Sequence, residues 1–370
     1  MAQVHFKKTT RDSFFGDYLY QMVIPKNHFL SKLKEEIDWE SFTPHLLPYY
    51  KGGAEYGNSP YPPSTILKLL FLSFLYNLSE RQVEEFANFN LPAKYFLGLG
   101  VDQKAPDHAT LSVFKDRLVK GAGLLPYDAI FKKIVKIALE KKIHFGDIQV
   151  IDSSSVPANV NILKDQDRQR KGQGKRDKDA SFGVKKTVDA RTPQGGKIKV
   201  REEVYGFKVH TSFNPESGIT TSVKTTPANE FDGKLFTPLV KKDKRLGLKL
   251  KTYTADKGYD DGDNRFFLTE NNFSDAIKVK DNRLKTKHNT HWRKLISNPV
   301  YRQATNIRKQ IERSYADAKV KHGLNRARYL GQMKFAIQSY FTFMAMNLKR
   351  IIFLTNNIPF KNQTYVYAYS

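Results

Sequence analysis

The sequence predicts an all-α N-terminal region joined to an α/β domain whose mixed five-stranded sheet is flanked by helices. Residues 27–118 carry apolar side chains at mixed three and four spacing with few β-branched runs, which is the helical period. From Gly146 onward, five β-branched or alternating segments follow one another at residues 148–151, 203–213, 219–225, 248–254 and 274–279, with turn residues between them. Helical periodicity returns after Pro299, to about Lys321, and again over residues 333–353.

Each element has a local reason. Pro62 and Pro63 open the apolar helix 64–78, and Ser79 with Gln82 forms a capping box for a helix over about 80–89. The cluster Ala105-Pro106-Asp107-His108-Ala109-Thr110 starts a helix that runs through Phe114 to Val119, and a further helix spans about 127–142. Ile148-Gln149-Val150-Ile151 reads as a strand ending in Asp152. Residues 164–186 hold nine basic and four acidic side chains and no apolar period, so they read as an exposed loop that DNA could order. The expected layout is a helical domain over 1–120, either DNA-binding or a plain helical core, a connecting helix over 121–145, an α/β domain over 146–356 containing the basic loop 161–186, and a tail over 357–370. No internal repeat is visible.

The 370 residues carry 62 Lys and Arg against 37 Asp and Glu, a net charge of +25, while 40% hydrophobic and 13% aromatic content supports a packed core. Such a balance favours a polyanion, nucleic acid or an anionic membrane. Lys68 and Ser73 interrupt the apolar stretch 66–78, and Gln338, Asn347, Lys349 and Arg350 interrupt 335–354, so neither offers the roughly 20 apolar residues of a membrane span. The N-terminus lacks the pattern of a signal peptide, and a cytoplasmic protein is expected. With no cysteine, disulfides, thiolate zinc sites and thiol catalysis are excluded. Residues 241–350 contain 26 basic and 10 acidic residues, a net of +16, so a polyanion is expected against this part of the chain.

Two acids follow strands: Asp152 after 148–151, and Asp256 after the alternating run Leu248, Leu250, Thr252, Thr254. A carboxylate just past a strand is fixed by the sheet yet projects from its end. In the helix after Pro299, Arg308, Glu312, Tyr315 and Lys319 are 4, 3 and 4 residues apart and fall within about 60° of one another on one face. That face is either an ordinary exposed stripe of ion pairs or the third part of a metal site, with Glu312 joining Asp152 and Asp256 while Arg308 and Lys319 hold phosphates. Mg2+ prefers carboxylate oxygens and substrate phosphate, and two such ions can serve an in-line displacement at phosphorus.

These residues resemble bacterial insertion-sequence transposases of the DDE type, in particular insertion-sequence families four and five. The resemblance rests on Val150-Ile151-Asp152-Ser153-Ser154, on Thr254-Ala255-Asp256-Lys257-Gly258-Tyr259, and on Arg308-x3-Glu312-x6-Lys319. It extends to Asp179-Ala180 through Lys185, to Tyr205-Gly206-Phe207-Lys208-Val209-His210, to Thr226-Pro227-Ala228-Asn229 with Asp232, and to Leu78-Ser79-Glu80-Arg81 and Pro106-Asp107-His108-x-Thr110 with Phe114 and Arg117. It implies an RNase H-like catalytic domain and DNA transposition, with Asp152, Asp256 and Glu312 binding two Mg2+ ions, Mn2+ substituting. DNA contacts would come from Arg308, Arg313, Tyr315, Lys319, Lys208 and Trp292. The partners implied are element ends and target DNA, held by a homodimer or larger multimer. The chain departs from the family at Thr305, where the helix signature begins with Tyr; Tyr301, one turn earlier, is the candidate replacement.

Weaker features have bland readings beside their sharp ones. His210 either positions substrate or is a structural histidine. His288 and His291 lack the companions of a zinc site. Trp292, in the basic stretch 285–294, either stacks on an unpaired base or belongs to the core, and Asn229 and Lys208 either touch DNA or support the site. No phosphate-binding glycine loop is present, so ATP use is not indicated.

Overall fold

The computed structural model describes residues 6–7, 14–50, 59–191, 197–286 and 289–360. They form two compact units, residues 1–143 with 344–370, and residues 144–343.

The first unit contains α1 (Phe14–Val23), α2 (Phe29–Glu36), α3 (Thr43–Leu46), α4 (Pro63–Leu75), α5 (Glu80–Phe89), α6 (Leu91–Leu97), α7 (His108–Ala122) and α8 (Leu125–Glu140). Every residue of α4 is buried, so the apolar stretch 66–78 is a core helix, with Pro63 in its first turn where a missing N–H costs nothing. Trp39 packs edge-on against Phe71 and Phe96, with centroids 5.2 and 5.1 Å away, and its indole N–H donates to the Leu33 carbonyl at 3.1 Å. Among the described residues no helix is long and apolar enough to cross a membrane.

The expected capping box forms, with the Ser79 hydroxyl and the Gln82 side chain each bonded to the other's backbone. From it α5 projects Glu80, Glu84 and Asn88 along one face at a spacing of four; the first two hold α7 and the third the residues leading into it. The Ser112 hydroxyl donates to Glu80 at 2.7 Å, the His108 N–H to Glu84 at 2.9 Å and the Ala105 N–H to Asn88 at 2.9 Å, while Lys115 pairs with Glu80. The two N-terminal family-like segments are therefore two halves of one contact.

The second unit is built on six strands: β1 (Ile148–Pro157), β2 (Ser181–Arg191), β3 (Lys197–Asn214), β4 (Ile219–Pro227), β5 (Thr252–Ala255) and β6 (Ser274–Ile277). Five run in the order β4-β3-β1-β5-β6, antiparallel across β4, β3 and β1 and parallel across β1, β5 and β6. The sixth, β2, pairs with the first half of β3, from Ser181 opposite Gly206 to Arg191 opposite Lys197. This extra strand makes the sheet longer than the five strands expected. Its first residues fall within the expected basic loop, where only Phe182 and Val184 give an apolar alternation.

The helices of this unit are α9 (Ile162–Arg170), α10 (Phe236–Leu246), α11 (Gly262–Glu270), α12 (Asp281–Leu284), α13 (Thr290–Ser297), α14 (Pro299–Ile307), α15 (Lys309–Lys321) and α16 (Gln332–Asn356). Phe236, Leu239 and Val240 of α10 pack on Ile151, Tyr253, Ala255 and Tyr259, fixing the ends of β1 and β5 from one face. Beneath them Asp243 is fully buried, accepting from the Ser212 hydroxyl at 2.6 Å and the Thr221 hydroxyl at 2.7 Å. Burial pushes its carboxyl up to about 6 against those bonds. Residues of the last helix from Met344 onward cluster with the first unit.

Three expectations change. The helix after Pro299 is two helices, α14 and α15, that meet at Arg308. Strand β1 does not stop before Asp152: its parallel pairing with β5 ends at Ile151 opposite Ala255, while its antiparallel pairing with β3 continues to Pro157. The basic region 164–186 is anchored rather than a plain exposed loop. Asp165 accepts from the Arg176 N–H at 2.7 Å, and Asp177 and Asp179 accept from the N–H groups of Gly331 and Gln332 at 3.0 and 2.9 Å, where α16 begins. An almost wholly solvent-facing helix with one buried acid leaves no apolar period to read.

Gly206 sits where β1, β2 and β3 meet, and a Cβ there would collide with the Val156 carbonyl and the Ala158 N–H. Gly206→Ala is expected to destabilise the fold by about 1–3 kcal/mol, since backbone cannot move aside as a side-chain tip can. A lowered thermal midpoint checks it.

Candidate active site

The register of β1 and β5 brings the first two acids together. Ile151 pairs with Ala255, and Asp152 and Asp256 are the next residue on each strand. At that point β1 loses its neighbour on one edge but keeps β3 on the other, so Asp152 is held rigidly beside an open edge. Asp256 leaves β5 as the cap of a short turn and accepts the Gly258 N–H at 2.7 Å. Burial, reinforced by the Asp256 charge, lifts the Asp152 carboxyl to about 7, against the Ser153 N–H bond and the Arg308 charge.

Helix α15 supplies the third side. The Arg308 guanidinium lies 3.3 Å from Asp152 and 3.6 Å from Glu312, bridging the two, and the Glu312 side chain is 62% exposed. Tyr315, expected at DNA, is buried: its hydroxyl donates to the Asp152 carbonyl at 2.8 Å and shares a 2.8 Å bond with Thr211, tying α15 to β1 and β3. The face read from the 4, 3, 4 spacing thus does point at the acids, with Arg308 and Tyr315 reaching the sheet. Arg313 is exposed, and Lys319 is half-buried.

The remaining candidates divide. Lys208 reaches Asp232 at 2.7 Å and the Glu230 carbonyl at 2.9 Å, so it stands beside the acids as one half of an ion pair. His210 is buried and bonded to Thr226 at 2.9 Å; burial pushes its imidazole down to about 4, which leaves it neutral and structural. Asn229 is bonded to Ser181 at 2.9 Å. Trp292 packs against the cluster of Ala276, Val279, Tyr301 and Ala304, and the guanidinium groups of Arg265 and Arg283 lie 4.9 and 4.8 Å from its ring centre. The replacement suggested for Thr305 fails, because the Tyr301 hydroxyl turns to the Val279 N–H at 3.2 Å in that same cluster. His288 lies outside the described residues.

Two residues at the site escaped the reading of the sequence as chemistry. Ser153 donates its hydroxyl to Asp232 at 2.9 Å, and Asp232 also bears on the charge of Asp152. Asp232 was visible only as part of a family-like segment, since its pairing with Lys208 spans 24 residues and leaves no local spacing.

Among the described residues no three acidic or histidine side chains converge into a ready-made ion cage. The donor chemistry nonetheless fits a hard divalent cation. Asp152 and Asp256 offer carboxylate oxygens whose mutual repulsion a cation would relieve. Glu312 would complete the set from the exposed face of α15.

A family model described as Transposase DDE domain matches residues 144–348, and one described as Transposase domain (DUF772) matches residues 18–117. Among solved structures the chain is similar to piggyBac transposase in a synaptic complex with hairpin DNA. That match has 9% identity and a TM-score of 0.35 over 96% of this chain and 78% of that one. It is also similar to Mos1 transposase in a paired-end complex with the left transposon end, at 10% identity and a TM-score of 0.20 over 71% of this chain and 81% of that one. At these scores the weight rests on the family matches, which the sheet order fits as an RNase H-like fold. The chain belongs to the DDE transposases, enzymes that generally depend on a divalent metal, and it carries a helical transposase domain ahead of its DDE domain.

Proposed function

We propose that this transposase binds the terminal inverted repeats of an insertion sequence and carries out metal-dependent strand cleavage and strand transfer. In this reading residues 1–120 grip the element end and residues 146–356 cut and join it. Asp152, Asp256 and Glu312 form the catalytic set and hold Mg2+, with Mn2+ able to substitute. The observation that carries the reading is the pairing of Asp152 and Asp256 at the ends of neighbouring parallel strands, with Arg308 bonded to the first and facing Glu312. When bound, the cations would activate the attacking oxygen and stabilise the leaving one.

The protein supplies the rest. The sheet fixes the two strand-end acids, and Tyr315 locks α15 at the distance its hydroxyl bond sets. Arg308 and Lys319 lie on the face of α15 that carries Glu312, and the exposed Arg313 offers a further cation to a phosphodiester backbone, Arg by a two-pronged contact and Lys as a point charge. The +16 of residues 241–350 draws DNA toward this region. Joining two ends requires at least two copies of the site, hence a dimer or larger multimer on DNA.

Incubating the protein with end DNA and supercoiled target in Mg2+ is the test. Joined molecules are expected. Cut ends without joined products would instead make it an endonuclease, and salt-sensitive binding with neither product would make it a DNA-binding protein that has lost its chemistry.

A further inference from the structure

Beside the three proposed ligands lies a fourth carboxylate that neither spacing nor family likeness singles out as chemistry. Asp232 opens the turn Asp232–Leu235 after β4, and both of its oxygens are engaged. One accepts the Ser153 hydroxyl at 2.9 Å and the other the Lys208 ammonium at 2.7 Å. Ser153 is itself the neighbour whose N–H donates to Asp152 at 2.8 Å, so Asp232 grips the peptide that orients the first acid. Asp232 and the second acid flank Gly258: a Cβ built there would lie 2.9 Å from an Asp256 oxygen and 4.0 Å from Asp232. A further polar group points the same way. The Tyr259 hydroxyl is fully buried near Ser153, within electrostatic reach of Asp232 and Asp152.

We infer that Asp232 is a positioning residue for the divalent-cation site: through Ser153 it sets the orientation of Asp152, and Lys208 is the counter-charge that lets a fourth acid stand there. The inference rests on the proposed catalytic reading. The physical reason is charge crowding. Asp152 and Asp256 already repel one another, and an unpaired Asp232 would add to that repulsion. With Lys208 on its far oxygen, Asp232 can hold the Ser153 hydroxyl without competing for the cation. A partner behind a first ligand typically governs metal affinity or activity by about 10–100-fold.

The experiment titrates the full-length protein with Mn2+, followed by the electron paramagnetic resonance signal of the free ion, and in parallel measures end cleavage against Mg2+ concentration. Asp232→Ala is expected to weaken Mn2+ binding about tenfold and to raise the Mg2+ needed for half-maximal cleavage by a similar factor. Lys208→Met should follow it, whereas Lys208→Arg, which keeps the pair, should stay near wild type. Wild-type Mn2+ affinity in Asp232→Ala overturns the inference, as does a loss of cleavage that tracks a fall in thermal midpoint with Mn2+ affinity intact. A wild-type protein that binds Mn2+ but cuts no end DNA overturns the catalytic reading instead, and the Mn2+ titration still decides Asp232.

Discussion

Asp152→Asn and Glu312→Gln are each expected to leave binding of the element end intact while cleavage falls by about a thousandfold. Carboxylate ligands supply several kcal/mol of transition-state charge stabilisation through the ion they hold, and about 4 kcal/mol corresponds to three orders of magnitude in rate. Binding should survive because the excess positive charge lies on other side chains, and removing one acid from so basic a region does not weaken its hold on phosphate. Gel-shift and cleavage assays on the same DNA separate the two effects. Chelation of divalent ions should reproduce the mutant phenotype in the wild-type protein. Cleavage that persists in chelator, or in both variants, rules the three-acid site out.

The largest stability effect is expected at Asp260, four residues past the second acid. Its carboxylate is buried and accepts from the Arg265 guanidinium at 2.9 Å and the Lys280 N–H at 2.7 Å, with Arg283 at 3.2 Å. Arg265 is itself buried and pairs also with Asp275. Asp260→Ala would leave that guanidinium short of a partner in a dry setting, at a cost of about 3–5 kcal/mol, and would loosen the segment that carries Asp256. A drop in thermal midpoint measures it. Burial raises the Asp260 carboxyl, but the bonds from Arg265 and Lys280 and the two arginine charges outweigh it, so the folded pKa lies below the ordinary value. The stability this group contributes is therefore present above the unfolded carboxylate pKa of about 3.9 and is lost as the pH falls toward the lowered folded one.

The meeting of Asp152 and Asp256 could be read from sequence because a strand-end acid is a local pattern, and two neighbouring parallel strands bring two such patterns side by side. The stripe of Arg308, Glu312 and Tyr315 was readable from spacing alone, even though the helix is interrupted at Arg308, where neither proline nor glycine announces a break. Other features depended on tertiary partners. Nothing near Trp292 in the chain shows that Arg265 and Arg283 lie over its ring, and nothing near Tyr301 turns its hydroxyl to Val279. Lys208 looks like a surface cation until Asp232 is placed beside it. Strand β2 escaped because a two-stranded ribbon edged by solvent needs no buried face and so leaves little hydrophobic period.

Helix α16 gives this chain an order of assembly. Met344, Leu348, Ile351 and Ile352 are buried, and they cluster with a unit whose other residues end at Ile143. A ribosome working at about 5–20 residues per second needs about 10–40 s to make the intervening stretch, and throughout that time the first unit lacks its closing segment. The same arrangement makes the segment after residue 340 unforgiving. A frameshift past codon 340 would spare every acid discussed above, yet it would strip the helical unit of part of its core.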